Sequence, residues 1–397
     1  MKQIDMYDII GNKPSSIELR SSVEQDDITN KIGEMFDYQF SGDVTETIEL
    51  PVFPKEFDIG LIVGSSGSGK STILRTAFGE EKKVDWDMSK GIASNFPTFE
   101  EASNKFGAVG LNSIPTWLKP YNVLSNGEAF RADLARRLQS GAVIDEFTSV
   151  VNREVAISCS MSIEKYIRRN NLKNVVFASC HRDIIPYLQP SWIYDTDSHK
   201  LMNEVRLRRP TISLQIVGAT NKAWDIFKKY HYLSSDINNA STCYMVLMKD
   251  IPIAFVALLA QPGRDVRHAW REHRVVVHPD YQGMGIGNKL SETIAQAYIE
   301  RGCRYFSKTS NPRMGGHRNK SPLWRPTVNN MKSRESYLLK NGEARHGDNY
   351  KRYGMKPELV KIHAYRVCYT HEYVGDGRTY PYTLEPEEDT NVQLSLF

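Results

Sequence analysis

The sequence contains no apolar run that approaches the roughly 18 residues of a membrane-spanning helix. Its first residues, MKQIDMYDII, lack the basic-then-apolar layout of a secretory signal. The 5 cysteines are scattered singly, with no CxxC pair of the kind that builds a zinc site or a redox centre. No internal repeat and no low-complexity segment is visible. These absences lead us to expect a cytoplasmic protein with reduced cysteines and no membrane contact.

Length and charge limit the number of domains and the kinds of binding partner that the chain can have. A chain of 397 residues is too long for one ordinary hydrophobic core, so two domains are expected. The net charge of +4 is small but unevenly distributed. From Arg301 to Arg352 basic side chains far outnumber acidic ones, whereas the late segment EPEED is acidic. The basic run is either a solvated face or a surface that follows a phosphate backbone.

Two different strand patterns divide the chain. The short apolar segments IGLIV, GAVIDEF and NVVFASC alternate with helical patterns, which predicts a parallel α/β sheet. After the basic stretch NEVRLRRP, the segments CYMVLMKD and IPIAFVALLAQ flank a short turn near Asp250, as in an antiparallel hairpin. We therefore predict an α/β P-loop domain over 1–206, an α+β domain over 207–383 and an acidic tail over 384–397.

A phosphate-binding loop is the first chemical signal. The segment GSSGSGKS fits G-x-x-x-x-G-K-[ST] and lies between a predicted strand and a predicted helix. Glycines let backbone N–H groups surround the phosphates, the lysine neutralises phosphate oxygens, and the first hydroxyl binds Mg²⁺. The predicted ATP-binding residues are Gly64, Gly67, Gly69, Lys70, Ser71 and Thr72, and Ser71 is also a predicted Mg²⁺ ligand.

Acidic and imidazole side chains after two later strands complete this first site. Asp145 and Glu146 end one strand, and His181 follows the next. Asp145 is the predicted second Mg²⁺ ligand, Glu146 the base that polarises the attacking water, and His181 a contact for the γ-phosphate. Beside a P-loop these residues predict nucleoside triphosphate hydrolysis.

The segment LSNGE, Leu124 to Glu128, precedes the helical pattern AFRADLARRL. With the P-loop, the Asp-Glu strand and His181 in the same order, it resembles the signature motif of ATP-binding-cassette (ABC) ATPases. In that family two cassettes enclose two ATP molecules, and each signature motif contacts the nucleotide of the opposite P-loop. The resemblance implies that Ser125 and Gly127 bind ATP in trans, within a homodimer. The segment between Lys70 and the signature is short and has no convincing Q-loop glutamine, which argues against transport.

A second glycine-rich turn lies in VVVHPDYQGMGIGNKL, between a strand and a helix. Small residues at this position let backbone N–H groups approach a pyrophosphate at a helix N-terminus. The whole pattern resembles the acetyl-CoA loop of the GNAT acyltransferases. The resemblance implies acetyl-CoA or another acyl-CoA as cosubstrate, bound by Val275, Val277, Gln282, Gly283, Gly285 and Gly287.

In GNAT enzymes the strand before this loop often carries a general base. Glu272 and His273 are the candidates here, and the period of two of a strand predicts that they point to opposite faces. A salt-bridged strand end beside Arg271 and Arg274 is an equally good interpretation for either residue. Downstream, four side chains could contact an acceptor or belong to a surface loop: His317, Arg318, Ser321 and Trp324.

The last five residues, QLSLF, match the peptide by which bacterial replication and repair proteins bind the sliding clamp. The resemblance implies that Leu394, Leu396 and Phe397 fill an apolar groove of the clamp and that Gln393 bonds at its edge. An acidic linker before them would give the peptide reach, so that these residues need not fold back on their own chain. A chance apolar terminus is the alternative.

Together these features resemble a fusion of an ABC-type ATPase with a GNAT-like domain, of bacterial or bacteriophage origin. Its expected activity is ATP-dependent transfer of an acyl group to a nucleic-acid amine, with a DNA nucleobase at the replication machinery as acceptor. Two alternatives remain open. One is acyl transfer to RNA or to a protein amine, and the other is a clamp-associated ABC ATPase of DNA repair whose GNAT-like domain only binds.

Overall fold

The structure is a computed structural model that describes residues 16–39, 41–203, 207–231, 236–261, 268–333, 339–340, 343–344, 365–376 and 392–395. Contacts divide the chain into two compact units. The first unit comprises Met1–Val109 and Lys119–Arg209, and the second comprises Gly110–Leu118 and Pro210–Phe397. Within the described ranges, no helix is both long enough and apolar enough to cross a bilayer.

The first unit contains seven strands among its described residues. They are β1 (Ser16–Ser22), β2 (Asp43–Glu49), β3 (Ile59–Val63), β4 (Val143–Ile144), β5 (Val175–Ser179), β6 (Trp192–Asp195) and β7 (Lys200–Asn203). The helices in chain order are α1 (Asp27–Phe36), α2 (Lys70–Phe78), α3 (Phe99–Ala108), α4 (Ile114–Trp117), α5 (Asn126–Arg137), α6 (Arg153–Arg169) and α7 (Ile185–Leu188), of which α4 belongs to the second unit.

The central sheet of the first unit has the strand order β4-β5-β3-β6-β7. The first four strands run parallel, and β7 pairs antiparallel with β6. Every residue of β3 and β5 is buried, as expected for strands that are covered on both faces. One side is filled by an aromatic cluster in which Trp192 stacks on Phe78 with ring centroids 5.6 Å apart. Because parallel strands end at one edge of the sheet, the segments that follow β3, β4 and β5 lie near one another.

The second unit is built on a different sheet. Its strands are β8 (Ser213–Ala219), β9 (Thr242–Met248), β10 (Ile251–Ala260), β11 (Ala269–Val277), β12 (Arg304–Thr309), β13 (Trp324–Pro326), β14 (Leu339–Lys340), β15 (Glu343–Ala344), β16 (Tyr369–Tyr373) and β17 (Val392–Ser395). Its remaining helices are α8 (Trp224–Phe227), α9 (Ile286–Glu300) and α10 (Pro312–Lys320).

Eight strands of this unit form one sheet in the order β13-β16-β12-β11-β10-β9-β8-β17. All neighbours are antiparallel except β11 and β12, which run parallel. The predicted hairpin between β9 and β10 is confirmed. Its two turn residues, Lys249 and Asp250, have φ values of 50° and 63°, as in the type I′ turn that suits a tight hairpin.

From the sequence we expected that the end of the chain need not contact its own fold, but in the structure part of it does. Gln393 and Leu394 pair antiparallel with Gln215 and Leu214, so that β17 becomes an edge strand beside β8. The unpaired backbone of an edge strand readily accepts another extended segment, which explains how a short terminal peptide can pair there. Leu396 and Phe397 lie outside the described residues.

Candidate functional site

The first site follows β3, where the chain turns through the glycine-rich segment into α2. Helix α2 begins directly after Gly69, whose φ of 77° is in the left-handed region that glycine adopts easily. Lys70 Nζ donates to the carbonyl oxygen of Gly64 at 3.0 Å and to that of Ser65. The backbone N–H groups at the start of such a helix bind phosphate well. The turn therefore fits a nucleotide phosphate, and it also contains the other predicted ATP ligands, Gly64, Gly67, Ser71 and Thr72.

Asp145 and Glu146 directly follow β4, and His181 follows β5. Glu146 has a φ of 48°, which is uncommon for a residue with a side chain and typical of functional sites. His181 Nδ1 lies 3.1 Å from the Thr148 hydroxyl. Burial, together with the charge of Arg153, lowers the pKa of His181, so the ring is neutral at pH 7. The three predicted side chains thus lie at the sheet edge that carries the P-loop.

A magnesium ion would need ligands from the nucleotide as well as from the chain. Among the described residues, no group of three or more His, Cys, Asp or Glu side chains is arranged to hold a metal ion. Mg²⁺ is usually held by one or two protein groups together with substrate phosphates. Ser71 and Asp145 would supply the protein ligands beside a bound triphosphate.

The signature segment opens helix α5. The Ser125 hydroxyl accepts a hydrogen bond from the Glu128 N–H, and the Glu128 carboxylate accepts one from the Ser125 N–H at 3.0 Å. This capping box explains why the helix begins at Asn126. Gly127 lies in its first turn. Ser125 and Gly127 are therefore at a helix N-terminus, and their role in trans remains a prediction.

The second site begins where β11 turns into α9. Helix α9 starts directly after Gly285, whose φ is 95°. The Gln282 side chain donates through Nε2 to the Val277 carbonyl oxygen at 2.9 Å, while its buried Oε1 has no hydrogen-bond partner within the described part of the chain. A backbone turn of this shape at a helix N-terminus fits a pyrophosphate, and the buried amide oxygen is available for a donor group. Val275, Gly283 and Gly287 lie in the same strand and turn.

Strands β11 and β12 enclose a cleft beyond their short region of pairing. They pair from Ala269 to Arg271 on β11 and from Arg304 to Phe306 on β12. A pocket of about 270 Å³ opens beyond these pairs. It is lined by His231, Arg271, Glu272, His273, Arg274, Val275, Lys308, Thr309, Ser310, Asn311, Met314, Arg366 and Cys368.

Glu272, one of the two candidate bases, lies in a buried ion pair. Its Oε2 is 3.0 Å from Arg318 Nη2, and the Ser291 and Tyr305 hydroxyls donate to its Oε1. Only 6% of the residue is exposed. Both carboxylate oxygens are therefore occupied by donors from the surrounding elements. The ion-pair interpretation of Glu272 therefore fits the geometry better than the role of a base.

His273, the second candidate, lies at an irregularity in β11. Ala257 pairs with Arg274 and the next residue, Leu258, pairs with Glu272, so His273 is the extra residue of a β-bulge. The bulge interrupts the pairing, but burial still alternates along this stretch, with Glu272 and Arg274 buried and His273 half-buried between them. His273 lines the pocket, and its Nε2 accepts a hydrogen bond of 3.3 Å from the Asn238 N–H.

The charges around His273 keep its ring neutral. Burial, followed by the charges of Arg274 and Arg271, lowers the pKa of His273 to about 4. The lone pair of a neutral imidazole, here the acceptor of the Asn238 N–H bond, can accept a proton at physiological pH when that bond is released. His273 is accordingly the candidate base that the geometry favours.

Two of the four possible acceptor contacts are not on the surface. Arg318 and Trp324 are buried, with the guanidinium of Arg318 4.2 Å from the centroid of the Trp324 ring. The segment folds as α10 and β13 instead of a surface loop, because its polar residues find partners inside the unit. His317 is more exposed and bonds to Glu292 at 3.3 Å, and Ser321 ends α10.

Two cationic side chains of the pocket were not singled out from the sequence. Lys308 belongs to the basic run that begins at Arg301, so the composition of that run did indicate a cationic surface there. Arg366 precedes β16, and its Nη2 donates to the Ser310 hydroxyl, which lies far from it in sequence. No local pattern indicates that pairing.

Comparison with known proteins identifies the second unit. Residues 211–318 match the Acetyltransferase (GNAT) family. These residues form a GNAT acetyltransferase domain. The domain contains β8 to β12, the turn at Gln282–Gly287, His273 and most of α10. No curated protein matches the chain.

The solved structures that this chain matches include two acetyltransferases and a transporter cassette. The ribosomal-protein-S18-alanine N-acetyltransferase of Escherichia coli is 12% identical, with a TM-score of 0.27, and the match covers 42% of this chain and 99% of that one. An acetyltransferase of Bacillus subtilis in complex with CoA is 15% identical, with a TM-score of 0.29 and coverages of 40% and 97%. A bacterial ABC transporter cassette is 15% identical, with a TM-score of 0.32 and coverages of 43% and 95%.

Proposed function

We propose that this chain is an ATP-dependent acyl-CoA N-acyltransferase that modifies an amine of nucleic acid, with a DNA nucleobase at the replication machinery as acceptor. The observation that carries the proposal is the neutral His273 in a cleft lined by Arg271, Arg274, Lys308 and Arg366. The GNAT domain supports acyl transfer, and the charge of the cleft supports a nucleic-acid acceptor.

The chemistry requires one proton transfer and one exchange of bonds. An acyl-CoA supplies a thioester whose carbonyl carbon an amine can attack. The new N–C bond forms, the C–S bond breaks, and CoA leaves as its thiolate. The His273 Nε2 lone pair accepts the Asn238 N–H at 3.3 Å, and it can take the proton from the attacking nitrogen once substrate displaces that donor. The bulge at His273 places this ring beside the open part of the strand.

One cationic side chain of the cleft, that of Arg271, lies away from the turn that would bind the phosphates of CoA. Arg271 and Val277 are six positions apart on β11, a distance of roughly 20 Å along a strand. The turn at Gln282–Gly287 lies beyond Val277. We therefore assign Arg271, which lines the cleft, to a different anionic group, that of the acceptor.

The same charges disfavour a protein lysine as acceptor. Its side chain is cationic at pH 7 and would enter a cleft in which burial and the arginine charges already hold His273 in the neutral form. A nucleobase amine is neutral, and the phosphates attached to it are attracted by arginine and lysine. A base inside a duplex must leave its stack to enter such a pocket.

The first unit would add nucleotide-driven control. ATP at Lys70 and Ser71, with Ser125 and Gly127 of a second copy, would close a homodimer and organise the acyltransferase on its substrate. The peptide QLSLF would recruit the complex to the sliding clamp, in a bacterial or bacteriophage-infected cell. We infer these roles from the residues and from the resemblance of the motifs.

The full-length protein can be tested with radiolabelled acetyl-CoA and four acceptors: single-stranded DNA, duplex DNA, RNA and a lysine-containing peptide. We expect label in DNA, more with single-stranded than with duplex substrate, and an acetylated nucleoside in its digest by mass spectrometry. Label only in RNA or peptide would overturn the DNA assignment. Acetyl-CoA binding without transfer to any acceptor would overturn the acyltransferase and support a binding module.

A further inference from the structure

A buried ion pair occupies the point at which β11 and β12 separate. The last paired residues are Arg271 and Phe306, so Glu272 and Ser307 are the next residues on the two strands. Arg318 of α10, only 1% exposed, contacts both of them. Its Nη2 lies 3.0 Å from Glu272 Oε2, and its Nη1 donates to the Ser307 hydroxyl.

Two hydroxyl groups complete the cluster. Ser291 of α9 accepts from Arg318 Nη2 at 2.7 Å and donates to Glu272 Oε1, which also accepts from the Tyr305 hydroxyl at 3.2 Å. Four elements, β11, β12, α9 and α10, are thereby tied to one carboxylate and one guanidinium. A buried ion pair is retained well when hydrogen bonds satisfy its remaining polar groups, as they do here.

Both ends of this pair connect to walls of the cleft. His273 directly follows Glu272 and lines the pocket. On the other side, Asn311 and Met314 line the pocket from the start of α10, and Arg318 follows one turn after Met314. The Glu272–Arg318 contact therefore links the wall that carries His273 to the wall formed by α10 and sets the distance between them.

The geometry points to Glu272 and Arg318 as positioning residues that hold β11 and β12 apart and fix His273 in the acyl-transfer cleft. This inference rests on the proposed function and deepens it, because it assigns to Glu272 a role other than that of the base. Arg318 fills the gap between the strands, and Glu272 fixes where the guanidinium lies.

A positioning pair and a catalytic base respond differently to substitution. If the pair positions His273, Arg318→Met and Glu272→Gln each misplace the His273 ring. The rate of the Glu272→Gln/Arg318→Met double variant is then no lower than that of either single variant. If Glu272 is the base, Glu272→Gln removes the chemistry while Arg318→Met does not. The double variant also removes both buried charges together, so that no uncompensated charge is left to unfold the domain.

The experiment compares these variants with Arg318→Lys and with Arg325→Met as a matched control. The exposed Arg325 pairs with the buried Glu372 of the same unit, which keeps its second partner, Arg304, when Arg325 is replaced. Steady-state rates would be measured with acetyl-CoA and DNA across a range of pH. We expect kcat to fall on the order of 10²-fold in Arg318→Met, Glu272→Gln and the double variant, since small misplacements have effects of that size. Arg318→Lys should restore part of the rate, and Arg325→Met should match the wild type.

The binding and pH data provide the decisive readouts. We expect the KM for acetyl-CoA to change by less than about threefold, because the turn at Gln282–Gly287 is untouched. The acid limb that reports His273 should persist in Glu272→Gln. Disappearance of that limb in Glu272→Gln, or normal activity of Arg318→Met, would overturn the positioning role.

A structural readout separates this inference from the proposed function. Crystal structures of the wild type and the double variant would give the separation between β11 and β12 beyond Arg271. A changed separation supports the inference even if no acceptor is modified, and an unchanged separation overturns it even if acyl transfer is confirmed.

Discussion

The Asp197 carboxylate accepts a hydrogen bond of 2.9 Å from the backbone N–H of Ser65, the second residue of the phosphate loop. The Ser65 hydroxyl donates to the same carboxylate at 3.0 Å, and Arg182 pairs with it at 2.7 Å. The hydrogen bonds from Ser65, with the charge of Arg182, lower the pKa of Asp197. A carboxylate that follows β6 therefore holds the first turn of the loop.

Replacing this carboxylate should weaken nucleotide binding. Asp197→Asn keeps the size of the side chain but loses the charge-assisted bonds to Ser65 and Arg182. We expect the Kd for ATP, measured by titration calorimetry, to rise about fivefold, the effect of losing one ordinary hydrogen bond. Asp87→Asn, which changes an exposed pair with Lys90 in the same unit, is the control. An unchanged Kd in Asp197→Asn would show that the loop does not depend on this contact.

Binding and hydrolysis of ATP should be separable in the first unit. Lys70→Ala should abolish detectable ATP binding, because the ammonium is held against the loop. Glu146→Gln should leave the Kd for ATP almost unchanged and lower the hydrolysis rate on the order of 10²-fold or more, as expected for loss of a general base. Size-exclusion chromatography of Glu146→Gln with ATP should show a dimer. A monomer under those conditions would contradict the trans role of Ser125 and Gly127.

Local patterns predicted the elements that carry each site, but not the contacts between them. The strand Ile59–Val63, the turn into α2 and the hairpin at Lys249–Asp250 follow from residues close together in sequence. The Glu272–Arg318 contact joins residues 46 positions apart, and no periodicity relates them.

The bulge at His273 shows a second limit. Nothing in the local pattern of β11 marks the extra residue, so the shift in its pairing with β10 could not be predicted from the sequence. The pairing of β17 with β8 likewise joins distant segments, so the sequence alone suggested a free peptide.

The rate of acyl transfer should remain constant down to a lower pH than a histidine base of ordinary pKa would allow. The pKa of His273 is lowered from 6.5 to about 4, so the base is deprotonated above about pH 5 and is lost only below that value. We expect kcat/KM to be flat from pH 8 to about 5 and then to fall. Arg274→Gln should move the acid limb upward by about one pH unit, because a neighbouring positive charge is removed. A limb near pH 6.5 in the wild type would contradict the environment assigned to His273.

Acid should destabilise the second unit through His371. This residue is fully buried, its Nδ1 has no hydrogen-bond partner among the residues that the structure describes, and burial with the charge of Arg318 lowers its pKa to about 4. Between pH 6.5 and 4 the unfolded chain binds a proton that the folded chain does not, so stability falls as pH falls. The contribution is about 1.4 kcal/mol per pH unit for one proton. Urea unfolding should show a smaller pH slope in His371→Asn, and an unchanged slope would assign the loss to other groups.

When the sliding clamp is present, the terminal peptide should leave its pairing with β8 and bind the clamp. In the structure Val392–Ser395 pairs with Ser213–Ile216 of β8, and an extended peptide cannot use the same backbone groups for two partners at once. We therefore expect that a purified bacterial sliding clamp will increase hydrogen exchange of the β8 amides. Ending the chain after Asn391, or replacing both Leu396 and Phe397 by alanine, should abolish capture on immobilised clamp, since the apolar anchors are removed.

The matched control for this experiment is Thr390→Ala, which lies just outside the peptide. It should bind the clamp as the wild type does. Truncation without clamp should also increase β8 exchange, because the edge strand is gone, whereas the Leu396 and Phe397 double variant should not, because Val392–Ser395 remain. Capture that persists after truncation would contradict the clamp assignment. Capture with unchanged β8 protection would show instead that only residues outside the paired segment engage the clamp.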